Sequence, residues 1–123
     1  MRHPLVFAGA LAGFLGVALG AFGAHALAPT LAAAGMTEVW HTAVLYHLIH
    51  AVAVLWAGGA GLRKARIAGW CWMIGIILFS GSLYAMALTG WRPLGYVTPL
   101  GGLALLAGWA VAAIGAVRGD STI

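Results

Sequence analysis

The chain has 123 residues, of which 63% are hydrophobic and only 7% charged, against roughly 25% charged in a soluble globular protein. That balance excludes a soluble fold and identifies an all-α membrane protein, and the length accommodates a single domain, residues 1–123. Six Lys or Arg against two acids give a net charge of +4, but these cations sit at the ends of apolar runs and form no basic face, which excludes a nucleic-acid groove.

The first apolar run, about 5–27, follows Arg2 and ends at Ala24-His25-Ala26. It resembles a signal-peptide cleavage site only superficially, because the run exceeds the 7 to 15 residues of a secretory h-region. It is long enough to span a bilayer. Within it Gly9, Gly13, Gly16, Gly20 and Gly23 recur at spacings of 4, 3, 4 and 3, and at 100° per residue they fall within an arc of about 80°. Such a small-residue face lets helix backbones approach closely.

Residues 28–36 contain Pro29 and Gly35 and read as a connecting loop with one interfacial turn. Thr37 is placed to cap the next helix and Glu38 lies in its first turn, where the helix dipole favours an acid. This second span, about 38–61, closes at Gly58-Gly59-Ala60-Gly61, and Arg63-Lys64-Ala65-Arg66 forms a basic turn. A third span, about 67–89, ends at Gly90-Trp91-Arg92-Pro93. Thr98-Pro99 reads as N-cap plus proline at the first helical position, opening a fourth span of about 99–117. Its stripe of Gly101, Ala104, Gly108, Ala112 and Gly115 again covers about 80° of the helix. The two stripes either hold the bundle together or face another subunit.

Four spans place both termini and the 62–66 turn on one side. Arg2, Arg63, Lys64, Arg66 and Arg118 lie there, against Arg92 alone opposite, so the positive-inside rule puts both termini in the cytoplasm. Trp40, Trp91 and Tyr96 fall near the outer interface and Trp70 and Trp72 near the inner one, as aromatic belts. Only Pro93 and Pro99 interrupt the later spans, both near an end, and the sequence shows no broken helix of the transporter kind. The single cysteine, Cys71, excludes an internal disulfide.

Chemistry concentrates between Thr37 and His50, with three of the five histidines and one of the two acids. A helical wheel divides the stretch. Glu38, His41 and Thr42 form an outer-interface group to which His25 belongs by depth. Tyr46, His47 and His50 form a deeper arc, with His50 about 18 Å along the axis from Glu38. Leaving an ionisable group unpaired there costs at least about 2.5 kcal/mol. Depth matching gives Ser80 and Ser82 as partners for His50, with Tyr84 slightly further out and the bare backbone near Gly16 on the first span. His50 is then either a neutral structural clamp or a relay or ligand contact.

A metal needs three or four converging ligands; His25, His41 and Glu38 come nearest, and no metal or other cofactor is assigned. Bis-histidine haem would draw its ligands from the first two spans or from two subunits, since the later spans contain no histidine. No P-loop, HExxH, dinucleotide fingerprint or Ser-His-Asp set is present, and Asp120 stands alone in the tail.

Four separated segments together resemble one family: residues 20–27 (GAFGAHAL), 46–51 (YHLIHA), 79–90 (FSGSLYAMALTG) and 98–109 (TPLGGLALLAGW). They are similar to the domain-of-unknown-function-423 family, the YgdD-type inner-membrane proteins related to animal transmembrane protein 256. The resemblance covers nearly the whole chain in order. It implies a small four-span, multi-pass protein of the bacterial inner membrane, with no activity or catalytic residue to carry over, and it draws attention to His25, Tyr46, His50, Ser80, Ser82 and Tyr84.

The expected protein is non-enzymatic, an accessory or scaffold surrounded by membrane lipid that self-associates or docks on a larger membrane complex. The alternative is a small carrier or binder of a proton, an ion or a lipid-like molecule such as a quinone, working through a polar site around His50.

Overall fold

The computed structural model describes residues 3–123; Arg2, counted above among the cytoplasmic cations, lies outside them. Four helical segments are long and apolar enough to cross a membrane: Pro4–Ala24, Thr37–Gly59, Arg63–Thr89 and Arg92–Arg118. In detail they comprise α1 (Pro4–Ala24), a short α2 (Ala28–Ala34), α3 (Thr37–Gly59), α4 (Arg63–Gly75), a π-helical turn (Ile76–Ser80), α5 (Gly81–Thr89), a 3-10 turn (Arg92–Tyr96) and α6 (Thr98–Arg118). The 21 residues of α1 reach about 31 Å, the thickness of the hydrocarbon core.

Several boundaries differ from the sequence reading. Residues 28–34, expected as a loop, form the helix α2, closed by Gly35 at a left-handed φ of 68°. It opens with a proline in its first turn and tucks Leu31 out of solvent entirely. Thr37 is the first residue of α3 and makes no side-chain cap; Thr98 likewise begins α6 without capping it. Arg63, Lys64 and Arg66 belong to the first turn of α4, not to a loop. The third span is continuous but carries a π turn between α4 and α5, which neither proline nor a Gly-Pro pair marks. Such turns insert one residue into the helical register and re-aim the side chains after them.

The spans pack in chain order. α1 lies against α3, α3 against the third span, and α6 against α4 and the π turn, while α3 and α6 hardly meet. Both glycine stripes face into the bundle. A Cβ on Gly9 would lie 2.9 Å from the Leu55 backbone nitrogen, and one on Gly101 would collide with the Phe79 backbone. Gly13 is the exception, with open space at its Cβ position. Trp40 and Trp72 do not join the aromatic belts; both are 1% exposed and form part of the core. Trp72 lies edge-on against Gly108, where a Cβ would collide with its indole. Trp70, Trp91 and Tyr96 remain exposed, as belt residues should be.

Asp120 is not isolated. Its carboxylate oxygens accept from the backbone N–H groups of Lys64 at 2.7 Å and Ala65 at 3.0 Å, so a residue at the far end of the chain caps α4. An anion suits that position because the first-turn N–H groups have no intrahelical acceptor. The tail is held further by an antiparallel bridge between Leu62 and Thr122 and by Arg63 N–H donating to the Ser121 carbonyl at 2.8 Å. Asp120→Ala is expected to lower stability by about 1 kcal/mol, the usual value of a helix cap, and to speed tryptic cleavage after Arg63 and Lys64; a time course of proteolysis in detergent checks this.

Candidate functional site

The polar residues in the membrane interior lie on α3 and its neighbours, and each histidine's bonding follows from the chemistry of its partners. His47, 5% exposed, has Nε2 2.7 Å from the Ala12 carbonyl oxygen on α1 and Nδ1 2.8 Å from the Tyr84 hydroxyl on α5. A carbonyl only accepts, so Nε2 carries the proton; an apolar interior disfavours a charged ring, and in the neutral one Nδ1 accepts from Tyr84. His50 is arranged the other way round. Its Nδ1 lies 2.7 Å from the Tyr46 carbonyl one turn earlier, and the Trp109 indole N–H of α6 reaches its Nε2 at 3.0 Å. An indole N–H only donates, so Nε2 is bare and the proton is on Nδ1. The two side chains are therefore neutral imidazoles in opposite tautomers, with both ring nitrogens of each bonded.

The glycines of α1 explain how the α1 carbonyls are reached. A helix carbonyl at position i is overhung by the side chain at i+4, and where that residue is glycine a donor from another helix can approach. Gly16 stands four residues after Ala12, and a Cβ there would lie 3.3 Å from His47 Cδ2 and 2.6 Å from Leu48 Cδ2. The arrangement recurs one heptad away. Gly23 stands four residues after Leu19, whose carbonyl accepts from the Trp40 indole N–H at 2.9 Å, and a Cβ on Gly23 would collide with that indole. Gly9 meets Val54 as a third step without a polar bond. Thus Gly23, Gly16 and Gly9 descend α1 opposite Trp40, His47 and Val54, each at intervals of seven in antiparallel register.

Ser80 and Ser82 do not bond His50, contrary to the depth-matched expectation. The Ser80 hydroxyl donates to the Ala43 carbonyl of α3 at 2.7 Å, and Ser82 pairs with Thr98 on α6 at 2.6 Å while also reaching the Phe79 carbonyl. The depth match was itself displaced: Phe79 packs on Tyr46 and Ser80 reaches Ala43, two turns before His50, while His50 turns toward α6. His47 also carries more of the structure than the sequence suggested, linking the first, second and third spans. Tyr84 lies at its expected level and packs against Trp40, with ring centroids 4.8 Å apart.

The outer-interface group does not converge. Glu38, His41, Thr42 and His25 are exposed, and α1 ends at Ala24. Among the described residues no three His, Cys, Asp or Glu side chains lie together as a metal set. Sequence reasoning missed Trp40 and Trp109 as donors. For Trp40 and His47 the signal was the matching heptads of glycine and large residue, and for Trp109 it was a tryptophan at mid-span, away from either interface.

Four spans, knit across their interior by polar bonds, define a small polytopic membrane protein. The family model described as "Protein of unknown function (DUF423)" matches residues 19–102. The UPF0382 inner membrane protein YgdD of Escherichia coli K12 is 44% identical over 123 residues, covering 95% of this chain and 91% of its own length. The UPF0382 membrane protein YwdK of Bacillus subtilis is 42% identical over 118 residues, covering 92% and 95%, and a UPF0382 membrane protein of Haemophilus influenzae is 40% identical, covering 98% and 99%. No solved structure matches. The chain belongs to the DUF423 family and is a multi-pass inner membrane protein.

Two stability experiments test these bonds. Gly23→Ala, which pushes a methyl into the Trp40 indole, is expected to cost about 1 to 3 kcal/mol, whereas Gly13→Ala, into open space, stays within about 0.5 kcal/mol; SDS unfolding in mixed micelles measures both. A double-mutant cycle of His50→Leu with Trp109→Phe should give a coupling of about 0.6 to 1.7 kcal/mol, the range of interhelical hydrogen bonds in membranes, and the same cycle pairing His50 with Ser80 should give none.

Proposed function

We propose that the protein is a non-enzymatic accessory or scaffold of the inner membrane that self-associates or docks on a larger membrane complex, with both termini in the cytoplasm. The observation carrying this reading is that His47, His50, Ser80, Ser82 and Tyr84 are all bonded to other groups of the bundle. Side chains committed in this way hold helices in register, and a general base or proton carrier needs a nitrogen or oxygen free to exchange its proton.

The surface supports the same reading. Outside the spans the described residues supply only α2, short connections and the tail. A partner therefore has to meet the protein chiefly within the membrane, against helix flanks such as that of Phe14 and Val17 on α1 or Leu103 and Leu106 on α6. Orientation follows from Arg63, Lys64, Arg66 and Arg118 at the end opposite Arg92.

Single cysteines placed at Phe14 and at Leu103 in a Cys71→Ala background, crosslinked in native membranes, test the reading. A discrete dimer or one larger species of fixed composition is expected from at least one position. A protein that stays monomeric at both positions, and is monomeric by native mass spectrometry from lipid nanodiscs, overturns it.

A further inference from the structure

Because α3 and α6 hardly touch, a furrow open to lipid runs between them, and the bond from Trp109 to His50 crosses it. On the side toward Thr98 the furrow has a volume of about 550 Å³ and is bordered by Tyr46, His50, Phe79, Gly102, Leu106 and Trp109 among others. On the other side lies a smaller hollow of about 360 Å³ beside Trp56 and Trp72. A separate furrow of about 660 Å³ lies between α1 and the third span, over His47 and Tyr84.

These three spaces differ in what they offer. His47 and Tyr84 are bonded to each other, so the α1 furrow presents an apolar wall suited to any acyl chain. The Tyr46 hydroxyl, by contrast, makes no hydrogen bond among the described residues, although Tyr46 stands about 13 Å along α3 from Thr37, inside an apolar span. An unmade hydrogen bond at that depth is costly. The Tyr46 ring lies nearly parallel to that of His50, with 8° between planes and centroids 6.2 Å apart, and its centroid is 4.7 Å from that of Phe79. Gly102 adds no side chain, and a Cβ there would have only Phe79 within 4 Å, at 3.9 Å. The space therefore combines aromatic walls with one unpaired hydroxyl.

We propose that this furrow binds a membrane-soluble ring compound of the quinone class, with a ring carbonyl accepting from the Tyr46 hydroxyl and the ring resting among Tyr46, Phe79 and Trp109. A phospholipid acyl chain would fill the volume but leave the hydroxyl unpaired. His50 acts as a positioning residue, since both of its nitrogens are already bonded and it holds Trp109 in place. The proposal concerns binding alone and involves no electron transfer. It is independent of the scaffold reading, which crosslinking between copies tests separately.

The test uses the full chain in lipid nanodiscs with a photoreactive azidobenzoquinone bearing a short alkyl tail, competed by unlabelled duroquinone, and maps labelled peptides by mass spectrometry. Labelling confined to the peptides holding Tyr46, Phe79 and Trp109 and displaced by duroquinone is expected. Tyr46→Phe should weaken that displacement about fivefold, the scale of one hydrogen bond, with an unchanged thermal melt. Labelling spread evenly over the lipid-facing helices, or not displaced, overturns the proposal. So does equal displacement in Tyr46→Phe, which would show an apolar slot that ignores the hydroxyl.

Discussion

A histidine in the middle of a bilayer has two ring nitrogens to satisfy and no water to satisfy them, so the helices around it must supply one acceptor and one donor in the right places. His47 and His50 meet that condition in mirror fashion. His47 donates to the Ala12 carbonyl and accepts from Tyr84; His50 donates to the Tyr46 carbonyl and accepts from Trp109. The bond from Trp109 joins the second and fourth spans, which otherwise hardly meet, and His47 draws together α1 and α5.

The glycine stripe of α1 is commonly read as a packing seam, and here it is also a means of exposing backbone acceptors. Gly16 and Gly23 uncover the carbonyls of Ala12 and Leu19 to His47 and Trp40. The same heptad interval on both helices lets Trp40 and His47 form their bonds in one antiparallel register, in which Gly23, Gly16 and Gly9 also meet Trp40, His47 and Val54 closely. Interhelical hydrogen bonds in membranes average only about 0.6 kcal/mol. Close packing therefore supplies most of the stability, and the polar bonds choose among packings that are otherwise similar.

The four spans and their order were legible because a run of some twenty apolar residues between cations and glycines has few other interpretations. Within the Thr37 to His50 stretch, Glu38, His41 and Thr42 are exposed and His47 and His50 buried, but Tyr46, which helical geometry groups with the two histidines, is exposed. The arrangement of helices around the bundle was not legible. Ser80 was matched to His50 by depth, yet the two face different helices, and no one-dimensional pattern states which span lies beside which. The donor to His50 is an indole, that of Trp109, where depth offered hydroxyls and bare backbone. The π turn at Ile76–Ser80 and the capping of α4 by Asp120 depend on tertiary contacts that local sequence does not encode.

Nitrogen-15 NMR of imidazole-labelled protein in lipid bilayers at neutral pH tests the central claim most directly, because the two nitrogens of each ring report their own protonation. The account predicts two buried neutral rings of opposite form, His47 protonated at Nε2 and His50 at Nδ1. A cationic ring at His50, or the Nε2-protonated form there, is incompatible with an indole donor at that nitrogen and would contradict it.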